Sequence, residues 1–118
     1  MVNAPFRLPS APAEGDLLAK YFRVLGDPIR LRILDLVAEQ ERSVGELAEL
    51  LGQPQPKVSN HLACLRWCAF VITRREHRTV FYRVADERVG VVVALGRELL
   101  CDNEDHVAAC RHVDGPGC

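Results

Sequence analysis

The chain predicts a mainly α domain with one small β-hairpin. Three features carry that prediction: helical segments punctuated by Gly26, Ser43 and Gly52, two β-rich runs around an arginine-rich link, and a final apolar helix. Residues 1 to 14, with Pro5, Pro9 and Pro12, read as a loose arm, residues 15–100 as the folded domain, and residues 101–118 as a cysteine-containing tail. A first helix fits Asp16 to Leu25, where Leu17, Leu18, Tyr21, Phe22 and Leu25 recur at helical spacing. Asp27-Pro28 supplies an N-cap followed by proline at the first helical position, and Ile29, Ile33, Leu34 and Val37 give the second helix its apolar face.

Ser43 and Glu46 stand at capping-box spacing, so a short third helix begins there and runs to Leu51 before Gly52 stops it. Pro54 and Pro56 fit the first turn of a fourth helix, where amide hydrogens have no intrahelical partner, and that helix continues to about Cys68. Two helices joined by a short turn containing glycine form a helix-turn-helix. The runs Phe70–Thr73 and Thr79–Val84, around Arg74-Arg75-Glu76-His77-Arg78, add a hairpin wing. The last helix starts near Asp86, carries Val89, Val92, Val93, Leu99 and Leu100, and ends in the acidic stretch Asp102 to Asp105. Its apolar surface exceeds what a small domain needs to cap itself, which points to a partner chain and a homodimer.

The chain of 118 residues is 48% hydrophobic, which fits one globular domain. No apolar run is long enough to span a membrane and the first residues form no signal peptide, so the expected location is cytoplasmic, with no membrane partner. The formal charge is −1, but from Gln53 to Arg83 six basic residues (Lys57, Arg66, Arg74, Arg75, Arg78, Arg83) face one acid, Glu76. That segment carries +5 and leaves −6 for the remainder, a concentration expected of an element that contacts phosphates in double-stranded DNA. Gln55, Ser59, Asn60 and His61 are the expected readers of base edges, with local packing the competing role for Ser59 and His61. Lys57 and Arg66 are expected on phosphates, and Arg74, Arg75, His77 and Arg78 on the backbone or minor groove. Trp67 reads as a packing residue.

Cys64 and Cys68 lie one turn apart on the expected reading helix, so both sulfurs can reach one ion. A disulfide between them is disfavoured: Cβ atoms at this spacing are about 5–6 Å apart, and a disulfide needs about 3.5–4.5 Å. At about 100° per residue, Val58, Leu62, Leu65 and Ala69 cluster toward the core and the two thiols fall on a flank. The competing reading is that both are small core residues. Thiolates select soft, thiophilic ions, and two thiols do not close a site alone. Cys101, Cys110 and Cys118 can each supply a third ligand, whereas His106 and His112 read as solvated.

Leu25-Gly26-Asp27-Pro28-Ile29-Arg30-Leu31-Arg32-Ile33-Leu34, Val58-Ser59-Asn60-His61-Leu62 with Leu65, and the wing ending in Val80-Phe81-Tyr82 occur in order over roughly residues 17 to 100. Together they resemble the ArsR/SmtB winged-helix repressors of bacteria. The resemblance implies a homodimer that represses a metal-resistance operon and leaves its operator when metal binds. Cys64 and Cys68 with a later cysteine are most similar to the cadmium- and lead-sensing branch of that family. The resemblance then implies Cys110 as third ligand, ahead of Cys101 and of Cys118, and cadmium or lead as inducer, with mercury or arsenite also thiophilic. The family's arsenic site places cysteines in a helix whose equivalent here, Gly45–Leu51, has none. Its zinc site on the last helix needs an Asp-x-His start and a later His pair; here Asp86 is followed by Arg88, and Leu99 and Asp102 stand at the later places. The wing turn also lacks the usual glycine, which leaves His77 or a neighbour to adopt positive φ.

Two other functions compete with this reading. An enzyme with a cysteine nucleophile needs a positioned base and orienter, and no such set is evident, so the chain is expected not to be an enzyme and to have no small-molecule substrate. A winged-helix thiol-redox sensing repressor is the alternative to the metal sensor; metal titration under strict reduction separates the two.

Overall fold

A computed structural model of the chain describes residues 13–110. Its elements are α1 (Glu14–Leu25), α2 (Pro28–Glu39), β1 (Arg42–Ser43), α3 (Val44–Leu51), α4 (Gln55–Trp67), β2 (Val71–Glu76), β3 (Thr79–Val84) and α5 (Glu87–Ala109). The expected punctuation is present at atomic detail. Asp27 accepts hydrogen bonds from the Ile29 and Arg30 amides at 2.8 and 3.1 Å, with Pro28 at the first position of α2. Ser43 and Glu46 form the reciprocal capping box of α3, and Gly52 closes that helix at φ 64°, a conformation glycine adopts without steric cost. Pro54 is the N-cap of α4 and Pro56 lies in its first turn.

Helices α2, α3 and α4 converge on one core, in which Ile33, Leu47, Val58, Leu62 and Leu65 are fully buried. Phe70 and Val71 extend it under the sheet. The end of α4 is a Schellman turn: the Phe70 amide donates to the Leu65 carbonyl at 2.8 Å and the Ala69 amide to Arg66 at 3.0 Å. Ala69 therefore takes φ 63° at a position that favours glycine, and it is exposed. The expectation that it faces the core is corrected, because the helical phase ends at Trp67 and no longer aims its side chain.

The sheet is antiparallel with order β1-β3-β2. The wing turn is two residues, His77 and Arg78, and of His77 and its neighbours it is His77 that takes positive φ, at 56°, in place of glycine. Arg74, Arg75 and Glu76, expected in the link, are strand residues paired with Phe81, Val80 and Thr79. Strand β1, which pairs Arg42 with Tyr82 and Ser43 with Phe81, was not foreseen; two residues carry no alternation to read. Helix α5 runs past the acidic stretch to Ala109, with a kink at Asn103 (φ −128°), so Cys101 is helical and Cys110 caps the end. Arg97 on α5 pairs with Asp35 on α2 at 2.6 Å.

Leu17, Leu18 and Phe22 of α1 and Val91, Leu95, Leu99 and Leu100 of α5 are exposed, an apolar surface that the described residues leave uncovered. Among the described residues no helix is long and apolar enough to cross a membrane.

Candidate functional site

Helix α4 turns three kinds of surface in three directions. Val58, Leu62 and Leu65 face the core, while Gln55, Lys57, Ser59, Asn60 and Arg66 are exposed. His61 is half-buried: its Nδ1 accepts a hydrogen bond from Arg30 Nε at 3.0 Å, and Arg30 also donates to the Val24 carbonyl at 3.3 Å. That clamp joins α4 to α2 and the end of α1, so the packing role weighed for His61 is the one the geometry favours. Sequence gives no signal for it, since the two partners are 31 positions apart.

The basic wing separates into two kinds of arginine. Arg74 lies between Glu41 and Glu76, with contacts of 2.9 Å to each, and over the Phe81 ring at 4.9 Å. Its hydrogen bonds hold the Glu41 carboxyl below its ordinary range. A guanidinium already shared by two carboxylates offers little charge to a phosphate. Arg75 and Arg78 are exposed and form no ion pair among the described residues, and His77 sits exposed at the tip.

Cys64 is half-buried on the flank of α4, Cys68 is half-buried at its C-cap, and both rest against the core. Both readings of the pair, packing and ligation, thus have a structural basis. The Cys68 thiol is pushed up from its ordinary pKa by burial first, then by the neighbouring Cys64 charge and a hydrogen bond with Cys64; Lys20 and Arg30 pull it the other way. Sulfur donors select soft, thiophilic ions, so a pair of thiols at this spacing fits a soft ion. Among the described residues, no set of three His, Cys, Asp or Glu side chains is close enough together to hold an ion. Cys101 is exposed on α5, Cys110 is half-buried at its end and His106 is exposed, whereas His112 and Cys118 lie outside the described residues. Trp67, expected to pack, is instead 91% exposed at the last position of α4.

The model of the family described as bacterial regulatory protein, arsR family, matches residues 27–73, from the cap of α2 into β2. The chain is 40% identical over 102 residues to a probable mercury resistance operon repressor of Streptomyces lividans, spanning 86% of this chain and 82% of the relative. It is 47% identical over 77 residues to the HTH-type transcriptional regulator KmtR of Mycobacterium tuberculosis (65% of this chain, 59% of the relative). It is 40% identical over 92 residues to the HTH-type transcriptional regulator CmtR of Mycobacterium bovis (71% and 78%). A homodimeric winged helix-turn-helix DNA-binding domain from Mycobacterium bovis superposes with TM-score 0.69 at 33% identity, covering 77% of this chain and 84% of that one.

Proposed function

The chain belongs to the arsR family of bacterial regulatory proteins, and from that premise we propose that it is a homodimeric repressor that leaves operator DNA when Cys64, Cys68 and Cys110 capture a thiophilic metal ion. It is a transcriptional regulator of the winged helix-turn-helix fold, not an enzyme. Cadmium or lead is the proposed inducer, with mercury and arsenite the other thiophilic candidates, and the cytoplasm is the proposed location. One observation carries the reading: Cys64 on α4 and Cys68 at its C-cap place the paired thiols on the helix whose exposed side chains are the proposed base readers.

In this reading the exposed apolar faces of α1 and α5 cover one another across a two-fold axis. Helix α4 of each protomer enters a major groove, with Gln55, Ser59 and Asn60 toward base edges and Lys57 toward phosphate. The third thiol comes from beyond the DNA-binding module: Cys110 first, then Cys101 or Cys118. A bound ion ties the flank of α4 to the end of α5, or to the partner's, and so sets the separation of the two reading heads. Half-sites of such dimers lie about 34–36 Å apart, and heads held at another spacing lose affinity.

Titrating each metal into reduced protein on a fluorescent operator duplex tests the proposal. Anisotropy should fall with cadmium or lead and far less with zinc; an equal response to zinc would exclude a soft thiolate site. The wing makes a second, independent prediction. Arg75→Ala or Arg78→Ala should weaken binding to any duplex and reduce the salt slope by about 1. Arg74→Ala should change the slope less than Arg75→Ala does, because its guanidinium is held by Glu41 and Glu76 rather than free to turn to a phosphate. Duplex titrations at several salt concentrations read both effects, and an Arg74→Ala slope as low as that of Arg75→Ala would refute the division.

A further inference from the structure

Trp67 is the chain's single tryptophan, and its exposure is hard to reconcile with packing inside one protomer. Pro56, Asn60, Ala63 and Trp67 recur at helical spacing on the side of α4 opposite Val58, Leu62 and Leu65, and all four are exposed. The indole thus continues the stripe that carries Asn60, one of the proposed readers. At 1.5 Å per residue it lies about 10 Å further along the helix than Asn60. Beside it, between α4 and β3, runs a groove of about 520 Å³ lined by Ser59, Ala63, Arg66, Trp67 and Tyr82. No carboxylate lines this groove, and Arg66 makes no ion pair among the described residues.

The inference rests on the reading that α4 occupies a major groove and the β2–β3 tip the adjacent minor groove. Those two grooves are separated by a sugar-phosphate strand, so that strand must pass between the helix and the wing. We propose that the groove between α4 and β3 is its seat: Arg66 meets a phosphate, the Trp67 indole covers the apolar face of a deoxyribose, and Tyr82 supplies a hydroxyl at the wall. Charge and position both favour this occupant. A cationic side chain beside a large apolar ring suits a chain of alternating anions and sugars, and the groove is continuous with the reading face. Contacts of this kind carry no sequence information, so the seat acts on any duplex and fixes the depth and register of α4.

The test uses a short mixed-sequence duplex at low salt, with wild-type protein under reducing conditions. Trp67 emission reports on one residue only. At duplex saturation, judged by anisotropy of a labelled strand, Trp67 should be shielded from acrylamide and its emission should shift to the blue. Trp67→Ala should bind the same duplex roughly fivefold or more weakly, with unchanged circular dichroism, while Trp67→Phe retains most of the affinity. Undiminished acrylamide access at saturation overturns the proposal, as does wild-type affinity in Trp67→Ala. Shielding that appears without DNA as protein concentration rises assigns the surface to a second copy and also overturns it. If the wild-type protein binds neither this duplex nor its operator, the DNA-binding reading itself has failed, which is distinct from failure at Trp67 alone.

Discussion

Phe70→Ala should cost about 3–5 kcal/mol of stability, the range found when a large buried aromatic is truncated. Phe70 is buried to 1% exposure and its ring stacks on Tyr21 of α1 at 4.3 Å between centroids. Its backbone closes two further junctions: the amide ends α4 on Leu65, and the carbonyl accepts from the Ala85 amide at 3.0 Å just past β3. One side chain therefore holds α1 against the junction of α4 and the wing. Domains of this kind are stable by only about 5–15 kcal/mol, so the loss consumes a large share of the total. Thermal unfolding followed by circular dichroism should show a midpoint lower by well over 10 °C, given about 4–8 °C per kcal/mol for domains of about 60–100 residues. Because α1 also presents Leu17, Leu18 and Phe22, the proposed dimer should weaken in parallel. A midpoint within a few degrees of wild type would mean that α1 does not depend on this contact.

The elements most legible in the sequence are those set by local chemistry. Asp27-Pro28, Ser43 with Glu46, and Gly52 each satisfy a helix end through neighbours within three residues, and each is found as read. The positive φ of the wing is legible in part: the link lacks the glycine usual there, which leaves His77 or a neighbour to adopt it, and His77 does. Long-range pairings were not legible. Arg74 looks like any other wing arginine until β1 brings Glu41 beside it, and His61, which reads both as a base reader and as a packing residue, shows no partner until Arg30 closes on it from α2. The extent of α5 was misjudged because the acidic stretch Asp102 to Asp105 reads as a stop, whereas the chain bends at Asn103 and remains helical. Trp67 shows the limit of residue type as a guide: its hydrophobicity points to packing, whereas its angle on α4 turns it to solvent.

The thiol pair was visible from spacing alone, and substitutions there should separate sensing from repression. Cys64→Ser, Cys68→Ser and Cys110→Ser should each still bind operator as dimers, because none removes a fully buried side chain or a proposed base reader. Serine keeps the size of cysteine and discards the soft donor, so each variant should lose metal affinity and the link between α4 and the end of α5. In the wild type a coupling of about 1–3 kcal/mol corresponds to a loss of operator affinity of about 5- to 150-fold, and by reciprocity the duplex weakens metal binding by the same factor. In the variants that factor should collapse toward one.

The most direct measurement records two signals in a single cadmium titration of reduced protein on labelled operator: the ultraviolet thiolate-to-metal absorbance and the anisotropy of the duplex. In the wild type the band should rise as anisotropy falls, with both saturating at one ion per site. In Cys64→Ser, Cys68→Ser and Cys110→Ser the band should drop and the duplex should stay bound. If Cys110→Ser keeps the full band and full release while Cys101→Ser loses both, the third ligand belongs on α5 and not at its end. If Cys64→Ser and Cys68→Ser release the operator as the wild type does, with the absorbance undiminished, the thiol pair is not the sensor and the account is contradicted.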